Sequence, residues 1–144
     1  MRGRDVKKWN AKTELYIILP TDKKGDNIPI TSLRINYPRT YAYFTNFIDE
    51  LITRGGQPYK AKLKPWREKS PDIAEKIGPP FYMLFNVNPS LAPYKVVWKY
   101  IAKDLMAAVV TPIIDNYLGK KILITDHRLM LVQCSGIDEA HFIC

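Results

Sequence analysis

The side chains best equipped for chemistry in this chain are cations gathered in two places. Arg2, Arg4, Lys7, Lys8 and Lys12 accompany Asp5, and Arg54, Lys60, Lys62, Lys64, Arg67 and Lys69 accompany Glu68. Residues 1–70 hold 15 Lys and Arg against 7 Asp and Glu, whereas residues 71–144 hold 7 of each, so the net charge of +8 belongs to the first half. Clustered cations gain free energy by releasing the counterions condensed on a phosphate backbone. Trp9, Tyr59 and Trp66 lie among them, and aromatic rings beside cations can stack on bases or sugars. A plain solvated basic face has the same composition. The aromatics tip the balance towards nucleic acid.

Catalytic and metal-binding patterns fail on spacing. His127, Cys134, His141 and Cys144 carry ligand atoms, but no Cys-x-x-Cys knuckle opens the set, so no metal is expected. Cys134 and Cys144 read as small buried hydrophobes. A Cys134–His127 nucleophile pair lacks an orienting third residue and an oxyanion loop. Asp138-Glu139-Ala140-His141 spells a helicase box without a phosphate loop, since Gly119-Lys120-Lys121 has the wrong third residue. Pro71-Asp72 is not followed by the Asp/Glu-x-Lys of a restriction-nuclease centre. The seven glycines form no cofactor cradle. No catalytic residue is assigned.

These residues must be carried by a mixed chain. Its 144 residues suffice for one domain with a real core, and 47% hydrophobic with 25% charged residues is ordinary for a globular protein. No apolar run reaches the ~20 residues of a membrane span, and no apolar segment follows the charged start. Two cysteines are too few for a disulfide framework, which makes a reducing cytoplasm the default.

Tyr16 to Leu19, closed by Pro20, reads as a buried strand. Pro38 to Arg54 reads as one helix, with Tyr41, Phe44, Phe47, Ile48, Leu51 and Ile52 on a shared core face and Gly55-Gly56 as a left-handed stop. Gln57 to Lys69 has no period and contains Pro58 and Pro65, so a loop is expected. Ser70 and Pro71 open a short helix that ends before Gly78. Strands are expected at Phe81–Val87, Tyr94–Ile101, Met106–Val110, Lys121–Thr125 and Leu129–Gln133, with turns at 86–93 and 115–120. Ser135 and Asp138 form a capping box for a helix through Cys144. Because that helix halts in mid-pattern, the chain is expected to be an excised fragment of a longer protein. Strand alternation puts Lys95, Val97 and Lys99 on one face and Tyr94, Val96, Trp98 and Tyr100 on the other, with Trp98 in the core.

Several segments together resemble a known family. They are Arg2-Gly3-Arg4-Asp5-Val6-Lys7-Lys8-Trp9, Tyr16 to Pro20, Pro38 to Arg54, Phe81 to Val87, Ala92 to Trp98, Ile124 to Val132, and Glu139-Ala140-His141. In this order they cover most of the chain. They resemble the target recognition (specificity) domain of restriction-modification DNA adenine methyltransferases, the TaqI-like C-terminal region.

The resemblance implies an α/β (α+β) fold, a sheet-centred single domain over 1–144 with a few helices. It implies sequence-specific reading of duplex DNA for an adenine-specific methyltransferase of prokaryotic cytoplasm. Catalysis, and S-adenosylmethionine as cofactor, would belong to a catalytic domain of the same parent chain, N-terminal to this fragment. The family's Asn-Pro-Pro-aromatic motif is missing here: Asn88-Pro89-Ser90-Leu91 lacks the second Pro and the aromatic, and reads as a turn. The fragment is thus expected to be non-catalytic and to hold no cofactor itself.

DNA contacts are expected from Arg2, Arg4, Lys7, Lys8, Trp9, Lys60, Lys62, Lys64, Arg67, Lys95, Lys99, His127 and Arg128. Lysines suit phosphates, while Arg67 and Arg128 are the candidate base readers. The chain departs from the family between Pro58 and Pro80, where the link to Phe81 is longer. Two rival readings share the basic half: an RNA-binding module, and a protein-interaction domain for an acidic partner.

Overall fold

A computed structural model describes residues 1–13, 15–126 and 128–144. Seven α-helices and three small antiparallel sheets occur among the described residues, the expected mixed α/β class. Their contacts cluster into two compact units, 19–85 and 1–18 with 86–144.

Unit 19–85 contains α1 (Ile30–Asn36), α2 (Pro38–Thr45), α3 (Ile48–Thr53), α4 (Gln57–Lys62), α5 (Lys64–Glu68) and α6 (Pro71–Ile77). The helix expected over 38–54 is two helices. Thr45 Oγ1 donates to the Tyr41 carbonyl at 2.9 Å, and the Phe47 amide bonds to Phe44 O, a tighter turn that ends α2. Phe44 is buried, and Tyr41, Ile48, Leu51 and Ile52 pack around the same core, but Phe47 is largely exposed. The glycine pair does not stop α3 in the expected way; Gly56, at φ 98°, turns the chain into α4.

The loop expected over 57–69 is also helical. Pro58 and Pro65 sit in the first turns of α4 and α5, where a missing N–H costs nothing and the fixed φ already suits a helix. The helix opened by Ser70 and Pro71 forms as expected.

The strand expected at Phe81–Val87 is absent, although Phe81, Tyr82 and Met83 are buried at the centre of this unit. Side chains take the place of a neighbouring strand. Asn27 donates to the Leu84 carbonyl at 3.0 Å and accepts from its amide at 2.7 Å. Arg54 donates to the carbonyls of Phe81 and Met83. Tyr82 Oη donates to Ile28 O at 2.8 Å, and Trp66 Nε1 to Pro79 O at 2.8 Å. The rings of Phe44 and Tyr82 stack with centroids 5.3 Å apart.

The other unit is built on a sheet of order β4–β3–β7, from β3 (Tyr94–Lys99), β4 (Ala107–Val110) and β7 (Leu129–Cys134). Two hairpins accompany it, β1 (Val6–Lys7) with β2 (Asn10–Ala11) and β5 (Ile113–Asp115) with β6 (Gly119–Lys121). The helix α7 spans Ile137–Ile143. Val97 opposes Ala108 and Leu131 and joins a core with Val6, Val110 and Leu123. Val96 faces the other way, into a core with Cys134 and Ala140 of α7, against which Trp98 packs half-buried. The expected alternation holds.

Four expectations change in this unit. The strand expected at Tyr94–Ile101 ends at Lys99, and Tyr100 and Ile101 lie beyond it, exposed. Tyr16 to Ile18 form no strand and are exposed, with no strand among the described residues paired to their backbone; Tyr16 Oη donates to Asp115. Pairing ends at Lys121, leaving 122–125 irregular with Leu123 buried. Glu139, not Asp138, closes the start of α7, accepting from Ser135 N and Oγ at 2.6 Å.

The Asn27 clamp generates a prediction. Asn27→Ala strips both backbone groups of the half-buried Leu84 of their partner, where orphaned groups cost about 1 kcal/mol or more. Urea denaturation should show a loss of at least about 1 kcal/mol; an unchanged midpoint would mean that the clamp is dispensable.

Candidate nucleic-acid interface

Unit 1–18 with 86–144 brings cations together around two clefts. The first, of about 680 Å³, is lined by Arg2, Arg4, Lys7 and Lys12 together with Asp5 and neighbours from β2. The second, of about 510 Å³, is lined by Arg4, Lys99 and Arg128 with Gly3, Tyr100 and Ile101. Arg4 lines both, so the clefts adjoin at its side chain.

Local structure explains the placement. A 3-10 turn at Gly3–Asp5 leads into β1 and brings Arg2 and Arg4 within ion-pair distance of Asp5. The Asp5 carboxylate accepts from the Arg2 amide at 2.7 Å and lies 3.9 Å and 4.0 Å from the two guanidinium Nε atoms. The Arg2 amide bond chiefly holds the carboxyl below its ordinary range, with the Arg2 charge assisting. One acid thus aligns two arginines without exhausting their donors. Surface pairs of this kind add little stability, so the net positive charge stays available.

Lys8 and Trp9 form the tip of the β1–β2 hairpin. Trp9 has a φ of 62°, a conformation that costs a bulky side chain free energy, and its amide is fixed by Ala107 O at 3.0 Å. Its indole is 65% exposed, with Lys8 Nζ 5.7 Å from the ring centroid. An aromatic ring is held in water beside a cation.

At the other end of the interface, Tyr100 N donates to Arg128 O at 3.0 Å, extending the β3–β7 ladder by one bond. The Arg128 amide is tied to Asp126 Oδ1 at 2.7 Å, and its side chain is exposed. Lys99 is half-buried, its Nζ 3.6 Å from Met106 Sδ. His127, expected beside Arg128, lies outside the described residues.

The remaining expected contacts divide sharply. Lys60 and Lys62 on α4 and Lys64 on α5 are exposed, in the other compact unit, and Lys64 pairs with Glu68 at 3.8 Å. Arg67 is exposed, and its guanidinium donates to Ile52 O at 3.0 Å and to Lys60 O, so part of its fork stitches α5 to the end of α3 and to α4.

Lys95 is a correction. It is fully buried beside Val97, with Nζ donating to Ser90 O and, at 2.9 Å, to Ala92 O. No phosphate reaches it there; it pins the 3-10 turn at Asn88–Leu91 to β3. Lys12 also lines the first cleft, and Tyr100 and Ile101 line the second, though none of the three was an expected contact. Lys12 was visible in the basic cluster, whereas Tyr100 was hidden by its place at the end of an apolar strand.

No family model, curated protein or solved structure matches this chain.

Burial of Lys95 has a measurable consequence. Desolvation pushes its ammonium down to about 8 from 10.5. Between these values the unfolded chain keeps a proton that the folded chain has lost, so folding stability rises with pH through that window. Denaturation midpoints from pH 7 to 10.5 should rise for the native chain and lose this increment in Lys95→Met. Equal pH profiles for the two would place Lys95 in water.

Proposed function

We propose that this chain binds duplex DNA through the basic face of the unit comprising 1–18 and 86–144. In line with its sequence resemblance, it would serve as the target recognition domain of an adenine-specific DNA methyltransferase of a restriction-modification system. Methyl transfer and S-adenosylmethionine would then belong to a catalytic domain of the parent protein.

The observation that carries the DNA-binding reading is the set of cations Arg2, Arg4, Lys7, Lys12, Lys99 and Arg128 around two clefts that share Arg4. Among the described lining residues Asp5 is the one carboxylate, and it is already engaged by Arg2 and Arg4. Such a run of positive charge suits the repeating phosphates of a duplex, and Lys8 and Trp9 at the adjoining hairpin tip extend it. Lys60, Lys62 and Lys64, exposed on the other unit, are separate candidates for phosphate contact. Arg128, exposed and forked, is a candidate for reading a base edge.

Binding of a short duplex, followed by anisotropy over a range of salt, tests this reading. Affinity should fall steeply with salt, and replacing Arg2, Arg4 and Lys7 by Ala should reduce the log–log slope by roughly one unit per lost contact. Lys60, Lys62 and Lys64 to Ala should weaken cognate and unrelated duplexes alike. A salt slope untouched by the Arg2, Arg4 and Lys7 changes would remove the basis of the proposal. Equal competition by polyglutamate would favour the acidic-partner reading, and tighter binding of single-stranded RNA the RNA reading.

A further inference from the structure

We infer that the cleft lined by Arg4, Lys99, Tyr100, Ile101, Arg128 and Gly3 is a site for one nucleotide unit, holding an unstacked base on Tyr100 and its phosphate among the cations. The inference rests on the nucleic-acid reading above and sharpens it.

A duplex backbone needs only cations from a protein surface. Here the cations frame large apolar side chains that the fold leaves in water: Tyr100 is 67% exposed and Ile101 84% exposed. Neither is needed by a core, for β3 ends at Lys99 and the cores on its two faces are filled by Val96, Val97 and their neighbours. The cleft volume of about 510 Å³ lies within the range of small-ligand sites, far above what a lone phosphate occupies.

The residues also divide by chemistry. Tyr100 offers a flat π-face and Ile101 an apolar wall, which suit a base of any identity. Arg4 offers a planar fork that matches phosphate oxygens and Lys99 adds a point charge, while Arg128, the base-edge candidate, stands beside Tyr100 where the edge of the base would lie. The Tyr100–Arg128 backbone bond places both residues at the same end of the sheet, and both line the cleft. Such a unit comes either from an unpaired position within a strand or from a free mononucleotide.

The test uses the whole chain with three probes: a short duplex containing one unpaired nucleotide, the same duplex fully paired, and adenosine monophosphate set against inorganic phosphate. The expected result is roughly tenfold tighter binding of the bulged duplex than of the paired one. Tyr100→Ala should abolish that preference and Tyr100→Trp should keep it, the preference being read for each variant as the ratio of its affinities for the bulged and the paired duplex.

Gly3→Leu provides an independent check. A Cβ at Gly3 meets no atom within 4 Å, so a side chain can start there without a clash and adds bulk to the cleft wall, with an unchanged melting temperature checking that the fold is kept. It too should lose the preference. Tyr100-dependent binding of adenosine monophosphate without any preference for the bulged duplex would support the site with a free nucleotide as its ligand. Salt-dependent binding of the paired duplex with no preference for either nucleotide probe over its control would overturn this inference and leave the DNA-binding reading standing. Failure of every duplex to bind would overturn both.

Discussion

Strand β3 is the constraint on which the sheet-bearing unit depends. Its backbone is paired on both edges, by β4 and β7, and its side chains are buried on both faces. A strand covered on four sides has no register freedom, because a one-residue slip would exchange Val97 and Val96 between two differently shaped cores. Everything at the interface is referred to it. The β1–β2 hairpin packs Val6 against the Val97 face, and the end of β3 delivers Tyr100 opposite Arg128. Lys95 within the same strand ties down the preceding turn by two carbonyl bonds, at the cost of burying an amine. Interface and core are thus continuous along a single segment.

The other unit solves a different problem. Its helices are five to eight residues long, too short to hold themselves by local propensity, so stability must come from packing and from side chains that complete the backbone. Asn27, Arg54, Trp66, Arg67 and Tyr82 each spend polar atoms on carbonyls or amides distant in sequence. Buried main-chain groups left without ladder partners must find such bonds or remain costly. Arg54 shows how far this goes: half-buried, its guanidinium is pushed down by desolvation, with the ring of Tyr59 4.1 Å away. Arginine in this chain is as much a structural cement as a charge.

The same residue type therefore plays opposite parts in the two units. Arg54 and Arg67 donate to backbone carbonyls, whereas Arg2 and Arg4 share one carboxylate and Arg128 holds its place through its own main chain. Backbone anchoring leaves guanidinium donors for a ligand. Trp9 follows this logic: its strained backbone is secured by Ala107 O, and its ring stays in water. Strain is worth retaining where it holds a side chain at a surface site.

Much of this was legible in the sequence. Charge asymmetry, the mixed α/β class, the alternation of β3, the turn at 86–93 and the opening of α6 follow from residue type and short-range spacing, which local physics reads directly. The prolines at 58 and 65 were legible as punctuation but ambiguous in sense, since proline both breaks a helix and begins one. Tertiary structure decided what depended on partners far along the chain. Phe81 to Val87 has strand composition, yet Asn27 and Arg54 satisfy its carbonyls; Tyr16 to Ile18 has the same composition and is paired with no strand among the described residues. Which cations face water was likewise undecided, because Lys95 and Lys99 alternate identically and only the packing above them differs. A residue's type sets the interactions it can make. The groups that folding brings within three ångströms decide which of them it makes.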